Sequence, residues 1–129
     1  MVLADTQAVL RLILQPELLS AKAESALRSG ARQGGLAIAA VSLWEIALLH
    51  AKGKILLDKP VESFLKQVED TFVVLPLTRS IAVRGTQFSS RFPKDPADRQ
   101  IGGTALIHGL TLITSDKPIR KSGEVPCIW

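Results

Sequence analysis

The chain has 129 residues, enough to bury a real hydrophobic core in one domain. Its hydrophobic share is 47% and its mean hydropathy +0.23, yet no unbroken apolar run reaches the roughly 18 residues that span a bilayer. A net charge of +4 and a pI near 9.6 permit an acidic partner such as nucleic acid without requiring one.

Val2-Leu3-Ala4 is a short apolar run that ends in Asp5. Thr6 to Leu14 puts Ala8, Val9, Leu12 and Ile13 on one helical face. Pro16-Glu17 restarts the chain, and Leu18 to Arg32 reads as a second helix ended by Gly34-Gly35. Leu36 to Val41 reads as a strand buried on both faces. The next helix carries Leu43, Ile46, Ala47, His50 and Ala51 as its stripe, with Trp44 expected in the core, and Gly53 stops it. Pro60 starts a helix with Val61, Phe64, Leu65 and Val68 inward, and Phe72 to Leu75 is a third strand. Thr78 caps a helix whose inner face is Ile81, Ala82, Gly85 and Phe88.

Lys94 to Asp116 forms one compact unit. Asp95 is its N-cap and Pro96 its first helical residue. Ile101, Gly102, Ala105 and Leu106 share a face, and His108-Gly109 ends the helix. Thr111 to Thr114 is a short strand, with Asp116 just past it. Gly102-Gly103 costs about 1 kcal/mol per Gly against Ala, so the helix backbone is expected to press closely on a sheet. Val125 to Trp129 is the last strand. The N-terminus lacks the basic and apolar regions of a signal peptide, and the lone Cys127 reads as a buried structural thiol. Both favour a cytoplasmic protein, and the apolar excess points to a partner surface.

Strands alternate with helices, which implies a parallel sheet covered on both faces. In such a sheet the strand carboxyl ends share one edge, where ligands bind. Asp5, Glu45 and Asp116 fall on that edge, and Asp98 joins them if its helix N-terminus points there. Each acid also has a plain structural reading. Glu45 completes a Ser-x-x-Glu capping box with Ser42, and Asp98 complements a helix dipole. Asp5 suits a helix cap, and Asp116 a turn ahead of Pro118. Together, however, several carboxylates at one edge repel one another, and a divalent cation relieves that cost. All-oxygen ligands select Mg²⁺ or Mn²⁺, and the chain has no zinc spacing. His50 and His108 read as structural, which disfavours acid–base ribonuclease chemistry. No nucleophile elbow or phosphate-binding Gly loop is present.

Four stretches, VLADTQAVLRLIL, AAVSLWEIALLHAKGKI, DPADRQIGGTALIHGLTLITSD and the terminal VPCIW, together resemble the PIN-domain proteins, and among them the VapC toxins of bacterial toxin–antitoxin pairs. The resemblance covers essentially the whole chain. It implies a three-layer α/β/α sandwich with a central parallel sheet, a single PIN-like domain over 1–129, and an Mg²⁺- or Mn²⁺-dependent RNA endonuclease. It also implies a homodimer restrained by a VapB-like antitoxin, and products with 5′-phosphate and 3′-hydroxyl ends. By motif match, the catalytic and metal-site acids are Asp5, Glu45, Asp98 and Asp116, supported by Thr6, Thr114 and Asp95. Gln7 and Gly102-Gly103 depart from the usual family residues, but neither removes an acid. An acidic pocket alone repels RNA, so positive flanks are expected at Arg91, Lys94, Arg99, Lys117, Arg120 and Lys121. Two other readings stay open: another Mg-dependent phosphoesterase on a similar sheet, and a catalytically silent binding module.

Overall fold

The computed structural model describes residues 1–129. Five short strands, β1 (Val2–Ala4), β2 (Leu36–Ala39), β3 (Val73–Leu75), β4 (Leu112–Ile113) and β5 (Cys127–Ile128), pair in parallel in the order β3-β2-β1-β4-β5. The chain builds outward from β1 on one side and returns to its other side with β4. That reversal makes the crevice between β1 and β4 the natural ligand position. Leu3 pairs with Leu112 and Ala4 with Ile113, so the residues after both strands emerge side by side.

Successive strand residues point to opposite faces and divide the core in two. Ala4, Ile38 and Ile113 pack with Val9 of α1 (Thr6–Leu14), Leu27 of α2 (Ala21–Arg32), Ile46 of α3 (Val41–Ala51), and Phe64 and Val68 of α4 (Val61–Thr71). Leu3, Ala37 and Leu112 pack on the other face with Phe88 and Phe92 of the loop before α6, Ile101 and Ala105 of α6 (Pro96–His108), and Ile119 of α7 (Lys117–Ser122). The result is the expected α/β/α sandwich. Against α6 packs α5 (Arg79–Gly85), capped by the Thr78 hydroxyl, which accepts from the Ile81 N–H.

Several local expectations are corrected. Pro16–Leu18 is a single 3₁₀ turn, and α2 starts only at Ala21, because the Ser20 hydroxyl accepts the Ala23 N–H. No capping box exists in α3: Ser42 lies inside the helix, which starts at Val41 without a side-chain cap. The inward face of α3 is therefore Ser42 and Ile46, while His50 and Ala51 are exposed and Trp44 is 61% exposed rather than in the core. Ala82 is exposed as well. The helix α7 was not legible at all, being six residues long, too short for periodicity to register.

Gly102-Gly103 presses on α5 and its trailing loop, not on the sheet. A Cβ on Gly103 would stand 3.1 Å from the Ile81 carbonyl oxygen. A Cβ on Gly102 would stand 2.8 Å from Phe92 and 2.9 Å from Phe88. Those two rings are buried and stacked at 3.9 Å, so neither can withdraw. Gly102→Ala is thus expected to destabilise the protein. Overpacking costs about 1–3 kcal/mol, which exceeds the roughly 1 kcal/mol that Ala gains in a helix. A lower urea midpoint at unchanged slope checks this.

Candidate active site

Each acid reaches its place through local chain chemistry. Asp5 follows β1 and caps α1, its Oδ1 accepting the Ala8 N–H at 2.7 Å. Asp116 follows β4 and caps α7, its Oδ1 accepting the Ile119 N–H at 2.9 Å. Thr114 stands between them: its hydroxyl oxygen accepts the Asp116 N–H, and its side chain holds the Asp5 pKa down. Asp95 caps α6 by accepting the Asp98 N–H at 3.0 Å. That leaves the Asp98 carboxylate free in the first turn.

Glu45 is held from β1's end of the site. The buried Thr6 hydroxyl donates to Glu45 Oε1 and lies 2.9 Å from Ser42 Oγ. One hydroxyl proton cannot serve both, so the carboxylate takes it and the Ser42 hydroxyl donates to Thr6. The Ser42 role was missed in the sequence because Ser-x-x-Glu reads first as a cap. Its burial inside α3 is what reveals it.

Asp5, Glu45, Asp95, Asp98 and Asp116 all line one cleft of ≈ 330 Å³. The α6 N-terminus does point there, which answers the open condition on Asp98. No Lys or Arg lines this cleft, so nothing within it balances the charge. Burial pushes the Asp5 carboxyl up to about 6, against the lowering effect of Thr114 and the Ala8 N–H. Burial likewise raises Glu45, with Asp95 adding to it. Asp98 is pushed up to about 7, first by burial and then by the charges of Asp95, Asp116, Glu45 and Asp5. Its position at the focus of the other four is thereby visible in its own proton affinity.

This donor set fits a hard divalent cation: all oxygen, mutually repelling, and offset only by Arg11, which acts on Asp5 from behind the cleft wall. The acids do not already converge as a closed cage, since no three His, Cys, Asp or Glu side chains group around one point. Asp5, Asp95 and Asp116 each commit one oxygen to a cap and Glu45 one to Thr6, and each retains a second.

The basic residues divide into two sets. Lys117, Arg120 and Lys121 are exposed on α7 beside Asp116, and Arg91 lines the same shelf. Lys94 is exposed next to Asp95. Arg99 is different, half-buried with its guanidinium turned onto backbone carbonyls. His50 and His108 are exposed, and neither lines the cleft. Cys127 is half-buried, and burial raises its thiol.

A PIN domain family model matches residues 2–124. The chain belongs to the PIN-domain family. Ribonuclease VapC22 of Mycobacterium tuberculosis is 36% identical to it over 120 residues, covering 93% of this chain and 90% of that protein, which makes this a VapC-like PIN domain. Solved relatives share the fold. A structure of VapBC2 from Rickettsia felis bound to a promoter DNA fragment matches with a TM-score of 0.73 at 13% identity, over 99% of this chain and 98% of that chain. DNA-bound VapBC from Salmonella typhimurium matches at 0.71 and 18% identity, over 99% and 98%. In this PIN domain the acid cleft opens at the carboxyl ends of β1 and β4, where its sheet order reverses. No helix of the PIN domain is long and apolar enough to cross a membrane.

Proposed function

We propose that this PIN domain is a divalent-metal-dependent endoribonuclease, the toxin of a VapBC-type pair, acting on RNA and restrained by a VapB-like antitoxin. One observation carries the reading: five carboxylates share a cleft lined by no Lys or Arg, in a chain 36% identical to a VapC ribonuclease. Asp5, Glu45, Asp98 and Asp116 hold the ion. Asp95 positions Asp98 by capping α6, Thr6 fixes Glu45, and Thr114 braces Asp5 and Asp116. When bound, Mg²⁺ or Mn²⁺ lowers the pKa of a coordinated water and polarises the scissile phosphate. The chain's own residues do the rest. Asp98 and Asp5, raised to about 7 and about 6, lose their protons as the site charges. The shelf of Arg91, Lys117, Arg120 and Lys121, with Lys94, holds flanking phosphates and offsets repulsion between RNA and the acids.

The deciding experiment offers RNA, DNA and small phosphodiesters with EDTA or millimolar Mn²⁺. RNA alone is expected to be cut, and only with metal. Cleavage of DNA or small diesters but not RNA points to the other phosphoesterase reading, and inertness toward every substrate to the silent module.

The same reading takes residues 1–129 as one domain working in the cytoplasm as a homodimer. Trp44, Leu56 and Leu77, which are 61%, 91% and 54% exposed, supply apolar surface for a partner copy or an antitoxin. Sedimentation at micromolar concentration is expected to report twice the 13.9 kDa chain mass. A stable monomer there refutes the dimer and leaves the nuclease reading standing.

A further inference from the structure

Residues 86–95, between α5 and α6, carry no regular secondary structure and end in Lys94 and the capping Asp95. Charged side chains hold this segment from two sides. Arg99 Nε donates to the Pro93 carbonyl at 2.9 Å. Its Nη1 lies 3.4 Å from the Phe88 carbonyl and 3.5 Å from that of Gly85, and its Nη2 lies 3.4 Å from that of Ser89. From the opposite side, Glu124 accepts the Ser89 N–H at 3.0 Å and the Ser89 hydroxyl at 2.8 Å. Ser89 is therefore gripped at its carbonyl by a cation and at its N–H by an anion. The 2.8–3.0 Å bonds to Glu124 and Pro93 are of the charge-assisted kind, roughly twice as strong as neutral ones, while the 3.4–3.5 Å contacts place guanidinium charge beside three more carbonyls.

The two gripping residues lie on, or just after, the two helices that bring acids to the cleft. Arg99 is the neighbour of Asp98 on α6, and Glu124 follows α7, whose cap is Asp116. Adjacent helix residues point about 100° apart, so fixing Arg99 on the loop fixes the roll of the first turn and aims Asp98 at the cleft. A guanidinium has five N–H donors, and the contacts with these carbonyls leave little for a phosphate.

We propose that Arg99 and Glu124 are positioning residues, which clamp Ser89 so that the α6 start presents Asp95 and Asp98 to the cleft, and that Arg99 does not contact RNA. The kinetic part of this rests on the nuclease reading; the metal-binding and loop-order parts do not.

The test compares the parent chain with Arg99→Lys and Glu124→Ala. Lys keeps the charge but cannot fork to several carbonyls. Both variants are expected to bind Mn²⁺ about 10-fold more weakly by calorimetry, the size typical of a lost supporting contact. Amides of residues 86–95 should exchange faster while the sheet keeps its protection. With RNA, kcat should fall and KM stay within about twofold, and the salt dependence of RNA binding should match the parent. Lys117→Ala, by contrast, should lower that salt slope by about one. Mn²⁺ affinity unchanged in Arg99→Lys, or a salt slope reduced by about one in Arg99→Ala, overturns the proposal. If Arg99→Lys does not fold, Glu124→Ala decides, since it releases the Ser89 N–H and hydroxyl together: weaker Mn²⁺ binding supports the clamp and unchanged binding refutes it. A parent that cuts no RNA sinks the nuclease reading alone, because the Mn²⁺ and exchange measurements still decide this one.

Discussion

Asp98→Asn is expected to abolish RNA cleavage while leaving the metal-free protein at least as stable as the parent. The two halves of that outcome share one cause. Asp98 sits where burial and four other carboxylates all disfavour its charge, which is why its carboxyl is pushed up to about 7. Asn removes that repulsion from the metal-free fold and forfeits only a favourable contact with the helix dipole, worth about 0.3–1 kcal/mol. On the proposed assignment it also removes a charged metal ligand. Losing a mere supporting contact costs 10–100-fold at such sites, so losing the ligand should exceed about 100-fold in rate. Asp95 is the control. Its Oδ1 accepts the Asp98 N–H, a bond that Asn keeps, so Asp95→Asn should alter stability little and Asp95→Ala should cost about 1 kcal/mol. Thermal melts in EDTA and RNA cleavage by these three variants decide. A destabilised but active Asp98→Asn makes Asp98 a capping residue only, and an inactive Asp95→Asn exchanges the two roles.

How much of this was legible from the sequence depended on whether a signal was local. The strand-helix alternation gave the parallel sandwich, and chain order alone placed Asp5 and Asp116 at one edge, because parallel strands share a carboxyl end. Asp98 needed the direction of α6, which no periodicity contains. The errors share a different origin. Ser42 through Glu45 matched a capping box, yet tertiary pairing with Thr6 drew Ser42 inward and extended the helix past it. That rotation turned Trp44 out to 61% exposure, against its bulk and apolarity. Gly102-Gly103 signalled close approach correctly but could not name the neighbour, which is the Phe88–Phe92 stack and α5. Arg99 looked like any other basic flank, since a guanidinium bound to carbonyls and one facing solvent have the same sequence.

The other large effect is on stability, and its sign follows from the same carboxylates. In the unfolded chain Asp has its ordinary pKa near 4. In the folded chain Asp5 and Asp98 rise to about 6 and about 7, so the folded state binds more protons between those values. Stability is then fullest below about pH 4 for this term and falls as pH rises through 6 and 7. The metal-free protein is expected to melt higher at pH 5 than at pH 8. Millimolar Mn²⁺ should narrow that gap. At 100 times its Kd a ligand adds about 2.7 kcal/mol, which in a chain of this size raises the melting temperature by roughly 10 °C. At pH 5 the gain should be much smaller, because protons on Asp5 and Asp98 compete with the ion for the same oxygens. Asp98→Asn should flatten both dependences together, weakening the Mn²⁺ shift and the fall from pH 5 to pH 8. Calorimetric melts at the two pH values, with EDTA and with Mn²⁺, measure all of this. A metal-free protein that grows more stable from pH 5 to pH 8, or one indifferent to Mn²⁺ at pH 8, shows that these acids do not form a cation site, whatever their arrangement in the cleft.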